Sequence, residues 1–171
     1  MSILDILTYP DKFLMKVTKP VSNIDGALQK TIDDMIETMY GAPGIGLASI
    51  QIGYGKSIIV YDLTHGEDNK SLQVLLNPVI IETSGETVSK NEGCLSVPDF
   101  KSDVKRAASV IVEALDREGK PLRIEAEETL AIVLQHEIDH LNGILFINRI
   151  SALKRELYKR HIRKRQKQNE K

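Results

Sequence analysis

The segment His136-Glu137-Ile138-Asp139-His140 carries two imidazoles and a carboxylate at helical spacing. At about 100° per residue, His140 lies about 40° and Glu137 about 100° around a helix from His136. All three side chains project within one arc, so the imidazoles can share a metal while the carboxylate stands beside it. Leu130, Leu134, Ile138 and Leu141 form an apolar stripe along the same helix, and Ile132 and Val133 flank His136. Such surroundings disfavour a solvated helix face bearing two ordinary histidines. Two histidines under-coordinate a metal, and the single cysteine, Cys94, supplies a third ligand. It sits in Glu92-Gly93-Cys94-Leu95-Ser96-Val97-Pro98, where Gly93 permits unusual backbone angles and Pro98 interrupts strand pairing. The segment reads as a strand end shaped to present a side chain. A Cys/His/His set leaves a fourth position for water, the arrangement of a catalytic site and not of a closed structural one. A divalent ion held there lowers the pKa of water towards neutrality, and Glu137 is placed to accept a proton and pass it on. His65 and His161 fall in a Gly/Asp-rich turn and a basic helix, and both are expected to be exposed and without a role.

These residues need elements to position them. Apolar spacing predicts a first helix from about Asp25 to Met39, capped by Asp25 and stopped by Gly41 and Pro43. The Gly-rich stretch from Gly41 to Gly46 then enters a strand expected to run from Leu47 to Gln51. β-Branched runs at Ser57–Tyr61, Leu72–Leu76, Val79–Thr83 and Ser109–Glu113 read as strands. Asp116–Gly119 reads as a turn leading to a strand over Leu122–Ala126. A second helix covers about Glu127 to Leu141, with Asn142-Gly143 as its stop, and a third about Ala152 to Lys167. Strands in the middle with helices segregated around them indicate an α+β fold, with antiparallel sheets packed around a central metal-binding helix. An N-terminal helix and a basic C-terminal helix flank that centre. The chain divides into a catalytic metallohydrolase domain over residues 1–150 and a basic helix and tail over 151–171.

Composition narrows the function classes. With 171 residues, 42 % hydrophobic and 27 % charged, the chain can bury a sizeable core, and wholesale disorder is excluded. The net charge of −1 makes the molecule as a whole no polyelectrolyte binder, and no specific DNA partner is expected. Near-neutrality hides an asymmetry, because Lys154–Lys171 holds nine Lys/Arg against only Glu156 and Glu170. Apolar runs are too short to span a bilayer, no targeting signal is visible, and one cysteine allows no internal disulfide, so a cytoplasmic location is expected.

Gly44-Ile-Gly-Leu-Ala-Ser-Ile-Gln51, Glu92-Gly-Cys-Leu-Ser96 and His136-Glu-Ile-Asp-His140 together resemble, in order and spacing, the three signature motifs of peptide deformylases. Ile6-Leu-Thr-Tyr-Pro10 and Asp33-Asp-Met-Ile-Glu-Thr-Met39 are similar too, so the resemblance extends to about Leu153. Ser49 departs from the pattern, where a second alanine is usual, and an extra hydrogen bond is the expected consequence. The resemblance implies removal of the formyl group from N-formylmethionine on nascent chains, with release of formate. It implies Fe(II) as the native metal, with zinc, nickel or cobalt as substitutes. It also implies that the Gln51 side-chain amide and the Leu95 backbone N–H hold the developing oxyanion, where losing one donor costs about 2.7–4 kcal/mol. The peptide is expected to add as a strand beside Gly44 and Gly46, with its methionine against Ile45, Leu95, Ile132 and Val133. Asp139 is expected to pair with Arg106. The basic C-terminal helix is expected to dock on the ribosome, through contacts weakened by salt. Two other classes compete. A zincin-like metallopeptidase also carries H-E-x-x-H but takes its third ligand downstream. A non-catalytic relative that binds ribosomes or nascent chains would be expected to have lost a ligand, Glu137 or Gln51.

Overall fold

In the computed structural model, which describes residues 2–68 and 70–171, Asp25 closes the start of the first helix, α1 (Gly26–Gly41), by accepting from the Leu28 amide at 2.9 Å. Leu28, Ile32, Met35 and Met39 are buried along its inner stripe, as their spacing requires. Seven strands follow: β1 (Gly46–Ala48), β2 (Ile58–Tyr61), β3 (Gln73–Ser84), β4 (Thr87–Cys94), β5 (Val97–Arg106), β6 (Ser109–Leu115) and β7 (Pro121–Glu127). One antiparallel sheet has the order β1-β2-β3-β6-β7, and β4 and β5 form a separate hairpin. Two further helices complete the chain, α2 (Glu128–Leu141) and α3 (Ala152–Asn169). The α+β reading holds, with α2 at the centre.

Every residue of β2 is buried. Ile58 and Val60 face the cluster containing α1, whereas Ile59 and Tyr61 face the cluster containing α2. The continuous apolar run of β2 therefore reflects helices on both faces. β7 passes into α2 without a loop, the change of direction being absorbed at Glu128, whose φ is +53°. At the far end Gly143 has φ +75°, and a Cβ there would lie 2.5 Å from the Met15 carbonyl oxygen, so only glycine fits this helix stop.

Four local expectations are corrected. The runs at Leu72–Leu76 and Val79–Thr83 belong to one bent strand, β3, whose pairing to β6 shifts register between Leu76 and Val79. Pro78 cannot donate to the ladder, and Asn77, at φ +52°, turns its amide side chain to the backbone of Val21. The strand expected through Gln51 stops at Ala48, where a 3-10 helix over Ser49–Ile52 begins because the Gln51 side chain accepts from the Ala48 amide at 2.9 Å. Ser49 makes the extra hydrogen bonds expected of it, donating to the Lys56 carbonyl and accepting from the Ile58 amide at 3.3 Å. The third correction is the hairpin, unforeseen beyond the strand end at Cys94: in β4 and β5 the few apolar residues stand among polar and charged ones, and Pro98 lies within β5 instead of interrupting it.

The fourth concerns α3. Its apolar residues predict packing through Ile150, Leu153, Leu157 and Ile162; Ile150 and Ile162 do join the core, yet Leu153 and Leu157 are 71 % and 56 % exposed. Tyr158, not foreseen, holds the helix together with Ile162, its ring 4.8 Å from Phe100 and 5.7 Å from Tyr9 between centroids. They join Leu14, Val97, Val104 and Phe146 in a third apolar cluster under the hairpin. Among the described residues, no helix is long and apolar enough to cross a membrane.

Candidate metal centre

Nine of the fourteen residues of α2 are buried, so its polar side chains must find partners inside the protein. One face of α2 presents His136 and His140 to the end of β4, where Cys94 pairs with Val97 across a two-residue turn. The Cys94 Sγ and the His136 Nε2 each lie 3.2 Å from the His140 Nε2, and the three ligand atoms all lie within 4.8 Å of one another. Tetrahedral ligands at the usual bond lengths stand roughly 3.3–3.8 Å apart, so the set already has close to the spacing that an ion requires. The His136 Nδ1 faces the Glu92 carboxylate at 2.7 Å, which leaves Nε2 free to ligate an ion. Donor chemistry and spacing both fit a divalent ion of zinc or iron type.

Burial and charge set the protonation pattern. Burial pulls the His136 imidazole down, but hydrogen bonds with Cys94 and Glu92 outweigh it and hold the group well above the ordinary range. His140 is driven well below that range by burial and then by the His136 charge. Glu137 is pushed up to about 7, chiefly by burial, with Glu92 adding to the effect and His136 and Arg106 opposing it. Its Oε2 and the His140 Nδ1 are buried without hydrogen-bond partners, and both belong to this centre. A carboxylate oxygen left without a partner, one residue along the helix from His136, can exchange a proton with a small molecule that reaches it.

An ion-pair network braces the ligands from behind. Burial raises the Glu92 carboxyl, but hydrogen bonds from His136 and Arg106, with the Arg106 charge, bring it down to about 2. Arg106, only 5 % exposed, donates to both oxygens of Glu92 and, through Nη1, to the Asp139 Oδ2 at 2.7 Å. Arg149 closes on the two Asp139 oxygens at 2.5 and 2.7 Å, a bidentate pair. The expected Asp139–Arg106 pair forms. Sequence reasoning missed the parts of Glu92 and Arg149. Glu92 carries a readable signal, because it lies two residues before Cys94 on a strand and so shares its face; Arg149 carries none.

On the other side, the Gln51 Oε1 is pinned by the Ala48 amide, which aims Nε2 at the Ser96 Oγ (3.1 Å) and the Cys94 Sγ (3.7 Å). Gln51 is thus a buried residue of the 3-10 helix, not a strand-end surface group. In front of the ligands opens a cleft of about 1030 Å³ lined by Gly44, Ile45, Gly46, Gln51, Cys94, Leu95, Ile132, Val133, His136 and Glu137. Buried beneath this lining lies His140. Every residue singled out from the sequence for ligation, proton transfer or substrate contact is therefore in one place. Among the described residues β1 pairs only with β2, so its other edge is unpaired within the sheet. Two glycines there allow close approach: a Cβ at Gly46 would meet the Glu137 Oε1 at 2.7 Å, and one at Gly44 the Leu95 side chain at 3.0 Å. His65 is exposed as expected, but its ring bonds the Gly44 carbonyl, which corrects its dismissal.

The polypeptide deformylase family profile matches residues 3–156. A peptide deformylase of Desulfosudis oleivorans is 54 % identical over 168 residues, covering 98 % of this chain and 97 % of that protein. The crystal structure of a peptide deformylase from Legionella pneumophila superposes with a TM-score of 0.90 at 45 % identity, covering 99 % of each chain. One from Synechococcus elongatus, solved in complex with actinonin, gives a TM-score of 0.85 at 42 % identity over 89 % of this chain and 83 % of that one.

Arg106→Met strips the buried Glu92 of its arginine and leaves Asp139 with Arg149 alone, and is expected to cost about 3–5 kcal/mol of stability. Urea unfolding of the metal-loaded protein measures it; a loss below about 1 kcal/mol, the size of a surface pair, would show that the network is not a structural brace.

Proposed function

The chain belongs to the peptide deformylase family, and on that premise we propose which residues hold the metal, move the proton and seat the substrate. It is a metal-dependent hydrolase that removes the formyl group from the N-terminal formylmethionine of nascent proteins and releases formate. The zincin-like and non-catalytic alternatives fall with this match.

Cys94, His136 and His140 are the metal ligands, and the ion is Fe(II), for which zinc, nickel or cobalt can substitute. An ion there supplies Lewis acidity, acidifying water and polarising a carbonyl. Glu137 takes the proton of the attacking water on its unpartnered oxygen and delivers it to the leaving amine nitrogen as the formyl C–N bond breaks. The Gln51 amide and the Leu95 backbone N–H steady the oxyanion on the formyl carbon. The substrate backbone adds as a strand along Gly44, Ile45 and Gly46, and its methionine rests on Ile45, Leu95, Ile132 and Val133. The observation that carries this assignment is the meeting of three potential ligand atoms from two distant segments, with the buried, unpartnered carboxylate of Glu137 lining the same cleft.

Residues 1–150 form the catalytic unit, and 151–171 form a basic helix that docks on the ribosome in the cytoplasm. The excess of Lys/Arg on α3 supports this, because ribosomal RNA presents a dense array of phosphates.

Glu137→Gln is expected to keep its metal and lose at least about nine-tenths of formate release from formyl-Met-Ala, since the ligands stay while proton transfer fails. Metal analysis beside the formate assay checks both halves, and a variant with near-normal turnover would remove Glu137 from the reaction. Anaerobically loaded iron enzyme is expected to lose activity in air, while the zinc form survives at a lower rate, because zinc has no accessible second oxidation state and a thiolate on Fe(II) is oxidisable. Equal rates and equal air stability would rule out iron as the native ion. Replacing the exposed Arg160, Lys164 and Lys167 by Gln is expected to leave small-peptide hydrolysis intact but weaken cosedimentation with ribosomes at low salt. Unchanged, salt-insensitive cosedimentation would return α3 to a solvated helix.

A further inference from the structure

The turn after β2 contributes nothing to the chemistry above, yet it holds the inner side of the segment proposed to receive the peptide. Gly44 and Ile45 precede β1 and lie outside its register with β2. Two donors from the turn hold their carbonyls: the Asp62 amide reaches the Ile45 oxygen at 2.8 Å, and the His65 Nδ1 reaches the Gly44 oxygen at 2.9 Å. A carbonyl oxygen only accepts, so the Nδ1 carries the proton.

The turn itself is rigid for a stated reason. Asp62 is fully buried, and its carboxylate accepts from the Tyr40 hydroxyl at 2.6 Å, the Thr64 hydroxyl at 2.7 Å, and the Thr64 and Gly66 amides at 2.9 and 3.0 Å. His65 adopts φ +49°, which turns its ring back over the segment, where it meets the Tyr40 ring edge-on at 5.8 Å. Gly44 is therefore held between this ring on one side and the Leu95 side chain on the other. A glycine outside a ladder has wide conformational freedom, and a strand-adding peptide needs that freedom removed before it binds.

We propose that His65 is a positioning residue for peptide binding, fixing the Gly44 carbonyl so that the outer edge of Gly44-Ile45-Gly46 meets the substrate backbone in a preset register. This rests on the reading of that edge as the peptide-binding strand. His65 touches neither metal ligand nor reacting atom, so it acts on binding of the downstream backbone and not on the bond-breaking step.

The test measures kcat and KM for formyl-Met-Ala-Ser and for formyl-Met amide, which lacks downstream residues, using the metal-loaded enzyme. His65→Gly removes the donor without straining the left-handed backbone, and His65→Asn keeps an N–H at the same bond distance from the main chain and tolerates that φ. Wild-type enzyme is expected to show a lower KM for the tripeptide than for the amide. His65→Gly is expected to raise the tripeptide KM about three- to tenfold, the size of one lost hydrogen bond, with kcat held within about twofold. The amide KM stays unchanged, and His65→Asn restores most of the tripeptide value. An unchanged tripeptide KM, a fall in kcat instead, or an Asn variant no better than Gly would each overturn the role of His65. Equal wild-type KM values for amide and tripeptide would instead overturn the reading of the edge, and the proposal with it.

Discussion

The Arg106 guanidinium, only 5 % exposed, joins the β4–β5 hairpin to the central helix α2. Taking such a charge out of water costs several kcal/mol, and two buried carboxylates in good geometry offset it. Its partners explain the cost. Glu92 stands two residues before Cys94 and bonds His136, while Asp139 lies between His136 and His140. Without this cation Glu92, which bonds His136, would be left buried with no arginine partner, Asp139 would keep only Arg149, and the hairpin would lose its Arg106–Asp139 link to the helix.

The cleft follows from the same arrangement. α2 lies against one face of the sheet and the hairpin stands apart from that sheet, so the space between them opens at the unpaired edge of β1. Glycines at 44 and 46 bring that segment close to Leu95 and Glu137, and a Cβ at 46 would force the Glu137 carboxylate to move. A desolvated carboxyl, a thiol and two imidazoles then share one small volume. Electrostatics separate their roles, since burial raises Glu137 towards neutrality while hydrogen bonds hold Glu92 ionised.

α3 is tied to the same hairpin from its far side. Tyr158 and Ile162 sit among Val97, Val104 and Phe146, so the basic surface has a fixed orientation relative to the strand that ends in Cys94. Its exposed apolar residues, Leu153 and Leu157, take no part in that anchoring.

Much of the centre was legible in the sequence, because helical periodicity alone brings His136, Glu137 and His140 to one arc and a lone cysteine narrows the third ligand to Cys94. A cap with an apolar stripe likewise announced α1, a stripe with an Asn-Gly stop announced α2, and the fold class followed from the order of elements. What the sequence left open depends on contacts between distant segments. Gln51 alone looks like a surface residue, and only the fold buries it against Ser96 and fixes its amide through Ala48. The hairpin carries no long apolar run, because one of its faces is solvated and the other packs on clusters contributed elsewhere. Arg149 reaches Asp139 from ten residues away around a helix end, and His65 reaches Gly44 across a turn. Local periodicity records which face of an element is apolar; which polar group meets which across the interior is decided only when the elements pack.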